Sequence, residues 1–127
     1  RFHCFIEGWH LPRINKGIIY KGWTTNVEYS SEILHSLRTQ NIYGLLFEEL
    51  VGYDKNADTR DYNAVKRIAV AYMKLLFPHW VSVSDVNKDD FDMYCLQPAI
   101  RRRGIIKEQC HYIDAEFKTT MPEFWIK

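Results

Sequence analysis

Five arginines have the type and placement to handle phosphate: Arg60, Arg67 and the consecutive Arg101, Arg102 and Arg103. Arg60 falls in the first turn of a strongly periodic helical segment. There, free backbone N–H groups favour an anion, and a planar guanidinium can grip phosphate oxygens. The bland alternative is a solvated arginine beside a helix cap. Arg67 lies two turns further on, on nearly the same helical face as Arg60, with an ion pair to a neighbouring carboxylate as its bland role. Arg101, Arg102 and Arg103 cannot share one face, because successive helical residues turn by about 100°. They read either as a solvated surface or as a contact to DNA or to another subunit.

Other chemistries find little support. His3, Cys4 and His10, and Cys110 with His111, lack zinc-ligand spacing, and buried cysteines beside ordinary histidines account for them. Ser30, Ser31, Ser82 and Ser84 have no nucleophile elbow around them, so a hydrolase site is not indicated. The six glycines form no Walker A pattern, so the main phosphate cradle is absent from the sequence and any contact to ATP must be a supporting one.

The elements that must position these side chains are helices. Tyr62, Val65, Ile68, Ala69, Tyr72, Met73 and Leu76 form one apolar stripe at helical spacing. Asp58 or Thr59 caps its start, Asp61 lies in the first turn where the dipole favours an anion, and Pro78 stops it. Upstream, Thr25 and Glu28 have capping-box spacing and open a helical stretch. Its apolar positions break near Gln40 and Asn41, giving two helices or one bent helix that ends at Gly52. A last helical segment, 90–113, carries Pro98 inside it, which predicts a kink or interruption. Phe2 to Ile6 reads as a short extended stretch, and 13–23 as a loop or a brief extended piece. The tail from Lys118 reads as a loop, with Phe124, Trp125 and Ile126 continuing into a strand. The fold class is therefore mainly α, a helical bundle with a short extended N-terminal segment.

Composition bounds the alternatives. The 127 residues are 46% apolar and 15% aromatic, enough to bury a core as one domain and to argue against disorder. With 17 basic against 16 acidic residues, no whole-chain field attracts polyanions, and any such site must be a local patch. Three cysteines do not make a secreted disulfide framework, and no segment has the apolar length of a membrane span. A reducing, cytoplasmic setting follows. The chain begins at Arg1 without a methionine and runs straight into an apolar word, so it reads as the middle of something longer.

Several words carry a family resemblance. Arg1-Phe-His-Cys-Phe-Ile-Glu-Gly8-Trp9-His-Leu-Pro12, Arg60-Asp-Tyr-Asn-Ala64-Val-Lys-Arg67, Leu75-Leu-Phe-Pro-His79 and Arg102-Arg-Gly-Ile-Ile-Lys-Glu-Gln-Cys-His-Tyr-Ile-Asp114 resemble the Lon-related AAA+ proteins of bacterial BREX phage-defence systems. In that family such words follow the ATPase core and precede a Lon-like C-terminal domain. The resemblance implies that 1–23 is the end of the AAA+ core with a connecting loop. It makes 24–117 a helical lid-like domain, and 118–127 a linker toward a Lon-like domain outside this chain. The word from Thr59 to Ala71 also resembles the lid helix of minichromosome maintenance helicases, which would make Arg60 a sensor-2 residue on the nucleotide phosphates. Arg1-Phe2 resembles the end of their Ser-Arg-Phe word, which would make Arg1 an arginine finger acting on a neighbouring subunit.

Three functions remain to be distinguished. The first is a nucleotide-sensing ATPase lid that also contacts neighbouring subunits and is not catalytic alone. The second is a helical DNA-binding module, which requires Arg101 to Arg103 to gather with Lys66, Lys74 and Lys107. The third is a scaffold or oligomerisation domain. The resemblance implies ATP with Mg in the whole protein and none bound by this piece alone. It also implies a homo-oligomeric ring, and allows DNA and other phage-defence components as partners.

Overall fold

A computed structural model describes residues 6, 8–54 and 58–127. The sequence readings of Arg1, of the extended stretch Phe2 to Ile6 and of His3 and Cys4 fall on or run into residues outside that set. The described residues cluster into two compact units, 6–40 and 41–127.

In the first unit, a 3-10 turn at Gly8–His10 leads through a tight turn, in which Gly17 N–H donates to Asn15 Oδ1 at 2.9 Å, into helix α1, Val27–Arg38. The stretch 13–23 is thus turn and loop. The cap of α1 is Asn26, one residue beyond the expected Thr25. Its side-chain oxygen accepts from the N–H groups of Glu28 and Tyr29, the pairing the capping box had assigned to threonine. No residue of α1 is buried.

The second unit carries the core. Helix α2, Ile42–Leu50, follows the break at Gln40 and Asn41 and buries Tyr43, Leu46, Phe47 and Leu50. It runs into strand β1, Val51–Tyr53, so Gly52 lies in a strand and does not end the helix. Helix α3, Thr59–Leu76, buries Val65, Ala69 and Met73 from the expected stripe, while Leu76 at its end is half exposed. Pro78 lies just past the Phe77 cap, as a helix stop should. Tyr43 donates its hydroxyl to the Pro78 carbonyl at 2.9 Å, and Phe77 stacks on the buried Trp80 at 3.9 Å.

The C-terminal helical segment runs on past Pro98, and its α-helical pattern is interrupted by a π-helical turn just ahead of that proline. Helix α4, Lys88–Phe91, passes through a π-helical turn, Asp92–Leu96, into α5, Gln97–Ile113. A proline ring clashes with the carbonyl four residues before it in an α-helix. Widening the turn ahead of Pro98 to an i→i−5 pattern, with Gln97 N–H donating to the Asp92 carbonyl, lets the chain continue. Phe91, Cys95, Leu96 and Ala99 from this segment close the core against α2 and α3. Strand β2, Phe124–Ile126, pairs antiparallel with β1 in the register Val51 to Ile126, Gly52 to Trp125 and Tyr53 to Phe124. Among the described residues the architecture is mainly α, with this one small sheet fastening the tail to the helices.

Candidate functional site

Among the described arginines, Arg60 has the simplest environment. Asp58, in extended backbone, caps α3: its Oδ1 accepts the Arg60 N–H at 2.8 Å, and its carbonyl accepts from Asp61 and Tyr62. The terminal N–H groups of α3 are therefore largely satisfied within the chain. What remains for an anion is the Arg60 guanidinium itself, which is exposed and has no side-chain partner among the described residues.

The next residue points the other way. Asp61 is 2% exposed, the one buried charged side chain among the described residues. Arg103 Nε donates to its Oδ1 at 2.9 Å, and Lys107 Nζ to its Oδ2 at 2.5 Å. Both cations come from one face of α5, a turn apart. Lys107 also donates to the Thr120 carbonyl at 2.7 Å. A carboxylate removed from water demands such partners, and two charge-assisted bonds supply them. On the far side of the same turn, the Tyr62 ring lies 4.2 Å from that of Tyr53 and tilts against Phe47. Burial first, then the Glu48 carboxylate and Tyr53, push the Tyr62 phenol up from its ordinary range. The start of α3 is thus held on both flanks, and Arg60 projects from a fixed base.

The remaining basic residues disperse. Arg67 is exposed two turns along α3 and is engaged in an interaction of its own. Arg101 is exposed beside a shallow groove formed with Met93, Gln97 and Pro98. Arg102 is half-buried and engaged, and Arg103 turns inward to Asp61. Lys66 joins Glu48, Lys74 lies 5.9 Å over the Tyr43 ring, and Lys107 is committed to Asp61. Most of the cations named for a DNA-binding surface therefore have work inside the domain.

Sequence reasoning placed Asp61 in a dipole role and missed its burial. The signal was present: Asp61, Val65, Ala69 and Met73 recur every four residues, so Asp61 extends the buried stripe by one turn. On the facing helix, Arg103 and Lys107 continue the line begun by buried Ala99. An acid on one apolar stripe matched by bases on another marks an internal ion cluster.

Among the described residues there is no cluster of histidine, cysteine and carboxylates able to hold a metal ion, and no helix is long and apolar enough to cross a membrane.

Residues 1–123 match the family described as the ATPase domain of Lon-like protease BrxL-like proteins. The chain is 24% identical over 136 residues to the Lon-like protease BrxL of Escherichia coli O9:H4 (strain HS), a match covering 99% of this chain and 19% of that protein. It is also 24% identical over 109 residues to the Lon-like protease BrxL of Bacillus cereus (strain H3081.97), covering 86% and 15% respectively. The chain spans less than a fifth of the length of these curated relatives.

Proposed function

Because the chain belongs to the family of BrxL-like ATPase domains of Lon-like proteases, we propose that it serves as the helical lid of an ATP-driven phage-defence protein, with Arg60 sensing the phosphates of ATP held by another part of that protein. The observation that carries this reading is the pairing of an outward guanidinium with an inward, doubly clamped carboxylate at adjacent positions of α3. The clamp fixes the backbone from which Arg60 projects, and preplaced charge is what stabilises a phosphoryl group at little reorganisation cost.

The residues present suit a supporting role. One guanidinium can meet phosphate oxygens, and the sequence has no Walker A word to cradle them. ATP with Mg would be bound by the rest of the protein, and hydrolysis would remove part of Arg60's partner, releasing the lid to move. Arg1 is the matching candidate for an arginine finger across a ring of identical subunits, and Arg67 a secondary contact on the Arg60 face. A DNA contact within this chain would fall chiefly to exposed Arg101, since Arg103 is spent on Asp61.

The test is Arg60→Ala in the complete protein. ATP turnover should fall by about 100-fold, the scale of removing one preorganised donor, while circular dichroism stays unchanged. Undiminished turnover would overturn the assignment. For Arg1, mixed rings of wild-type and Arg1→Ala subunits should lose activity in proportion to the shared interfaces that lack the side chain.

A further inference from the structure

Lys107 bonds to two different parts of the chain at once. Its ammonium lies 2.5 Å from Oδ2 of Asp61 and 2.7 Å from the carbonyl of Thr120, and its side chain is only 13% exposed. Thr120 belongs to the strap 118–127, whose far end is fixed by the β1–β2 pairing, by Lys127 N–H donating to the Leu50 carbonyl at 2.9 Å and by Lys127 Nζ donating to the Glu48 carbonyl at 2.8 Å. Near Thr120 the strap has less hold: Thr120 is exposed, and Met121 is the first strap residue to pack against the core.

Charge makes this junction more than a passive tie. Asp61 brings one negative charge to a nearly dry spot, while Arg103 and Lys107 bring two positive ones. The Thr120 carbonyl supplies the remaining negative density that the second cation needs. Lifting the strap would remove that acceptor and let water reach Lys107, weakening its hold on Asp61. The carboxylate is in the first turn of α3, one residue from Arg60, so a change in its grip is a change in the base from which Arg60 projects.

We infer that Lys107 is a positioning residue that links the docking of the 118–127 strap to the orientation of Arg60. The inference rests on the reading of Arg60 as the nucleotide sensor. It gives the strap a regulatory part: docked, it holds Arg60 in its phosphate-facing pose, and nucleotide held by Arg60 in turn favours the docked strap, as reciprocity between linked equilibria requires.

Amide hydrogen exchange of residues 120–126 in the complete protein, with and without ATPγS, tests the link. The wild-type strap should exchange more slowly with the nucleotide. Lys107→Met should abolish that difference while α3 and α5 stay protected, and Lys107→Arg, which keeps the charge and more than one donor, should restore it. Asp61→Asn serves as a second disrupting variant should Lys107→Met lose protection in the helices, and it too should abolish the difference. No nucleotide dependence in wild type, or its persistence in whichever disrupting variant stays folded, overturns the inference. Arg60→Ala separates the two readings. Normal turnover in that variant sinks the sensor assignment itself, whereas impaired turnover beside an unaltered Lys107→Met strap sinks the coupling alone.

Discussion

Arg103 reaches across from α5 to place its Nε 2.9 Å from a carboxylate oxygen of Asp61 that water scarcely touches. This pair, with Lys107 on the second oxygen, is a polar link between α3 and α5. Removing one member of a buried ion cluster leaves the others short of a partner and costs about 3 to 5 kcal/mol. The two cations keep 15% and 13% of their side chains exposed, so the lower end applies here. Asp61→Asn should therefore destabilise the chain by about 3 kcal/mol, read as a lower urea midpoint at constant slope. A change within about 0.5 kcal/mol, typical of a surface site, would contradict the clamp.

Gly52 and Trp125 face each other across the sheet so closely that a Cβ on Gly52 would sit 2.3 Å from the indole Nε1. Gly52→Ala must push the indole off the strand, and overpacking of this kind costs about 1 to 3 kcal/mol. Trp125 is half exposed and has somewhere to go, so the cost should lie toward the lower value. In a Trp125→Ala background the same substitution should cost much less, and a double-mutant cycle measures the difference. Additive effects would mean that the ring does not cover Gly52.

Cys95 has no exposed surface, and burial pushes its thiol up from 9.0 to about 12. Well below pH 9 the thiol is largely neutral in both the folded and the unfolded chain. As pH rises from there toward 12, only the unfolded chain releases the proton, so this contribution to stability is progressively lost. At pH 8, iodoacetamide should leave Cys95 unlabelled in the native chain and label it in denaturant, with half-buried Cys110 more reactive. Peptide mapping that finds Cys95 labelled under native conditions would show the π-helical turn to be open.

Asp85 behaves in the opposite sense. The Ser82 hydroxyl, at 2.7 Å, and then the Val81 N–H hold its carboxyl below the usual 3.8. A lowered value in the folded state means that the contribution is complete above about pH 4 and fades as pH falls through the folded value. A carboxyl-carbon NMR titration should place its midpoint below 3.8, and Ser82→Ala should move it back up. A wild-type midpoint at or above 3.8 would show that these bonds do not persist in solution.

Much of the second unit was legible because its helices are amphipathic and their stops are local. The stripe of α3, the break near Asn41 and the stop before Pro78 each depend on near neighbours, which is the information a sequence displays. The strand at Phe124–Ile126 could be named from its composition, but its partner could not. Val51–Tyr53 lies more than seventy residues away and follows a helix without a turn signal. The cap of α1 slipped by one residue because Thr25 and Asn26 are both good caps, and backbone geometry chose between them. Arg60 was readable as a helix-start arginine. The inward turn of Asp61 and Arg103 was not, because it depends on two distant stripes facing each other, and a single stripe does not announce its counterpart.

The register of Val51 with Ile126 also carries a consequence for synthesis. A ribosome delivers α2, α3 and α5 in order, and each can begin to pack on its predecessor as it emerges. The sheet that seals the end of α2 has to wait until Phe124–Ile126 have left the exit tunnel. Until then the nascent chain carries a bare strand edge, the kind of surface that chaperones shield and that neighbouring nascent chains can capture.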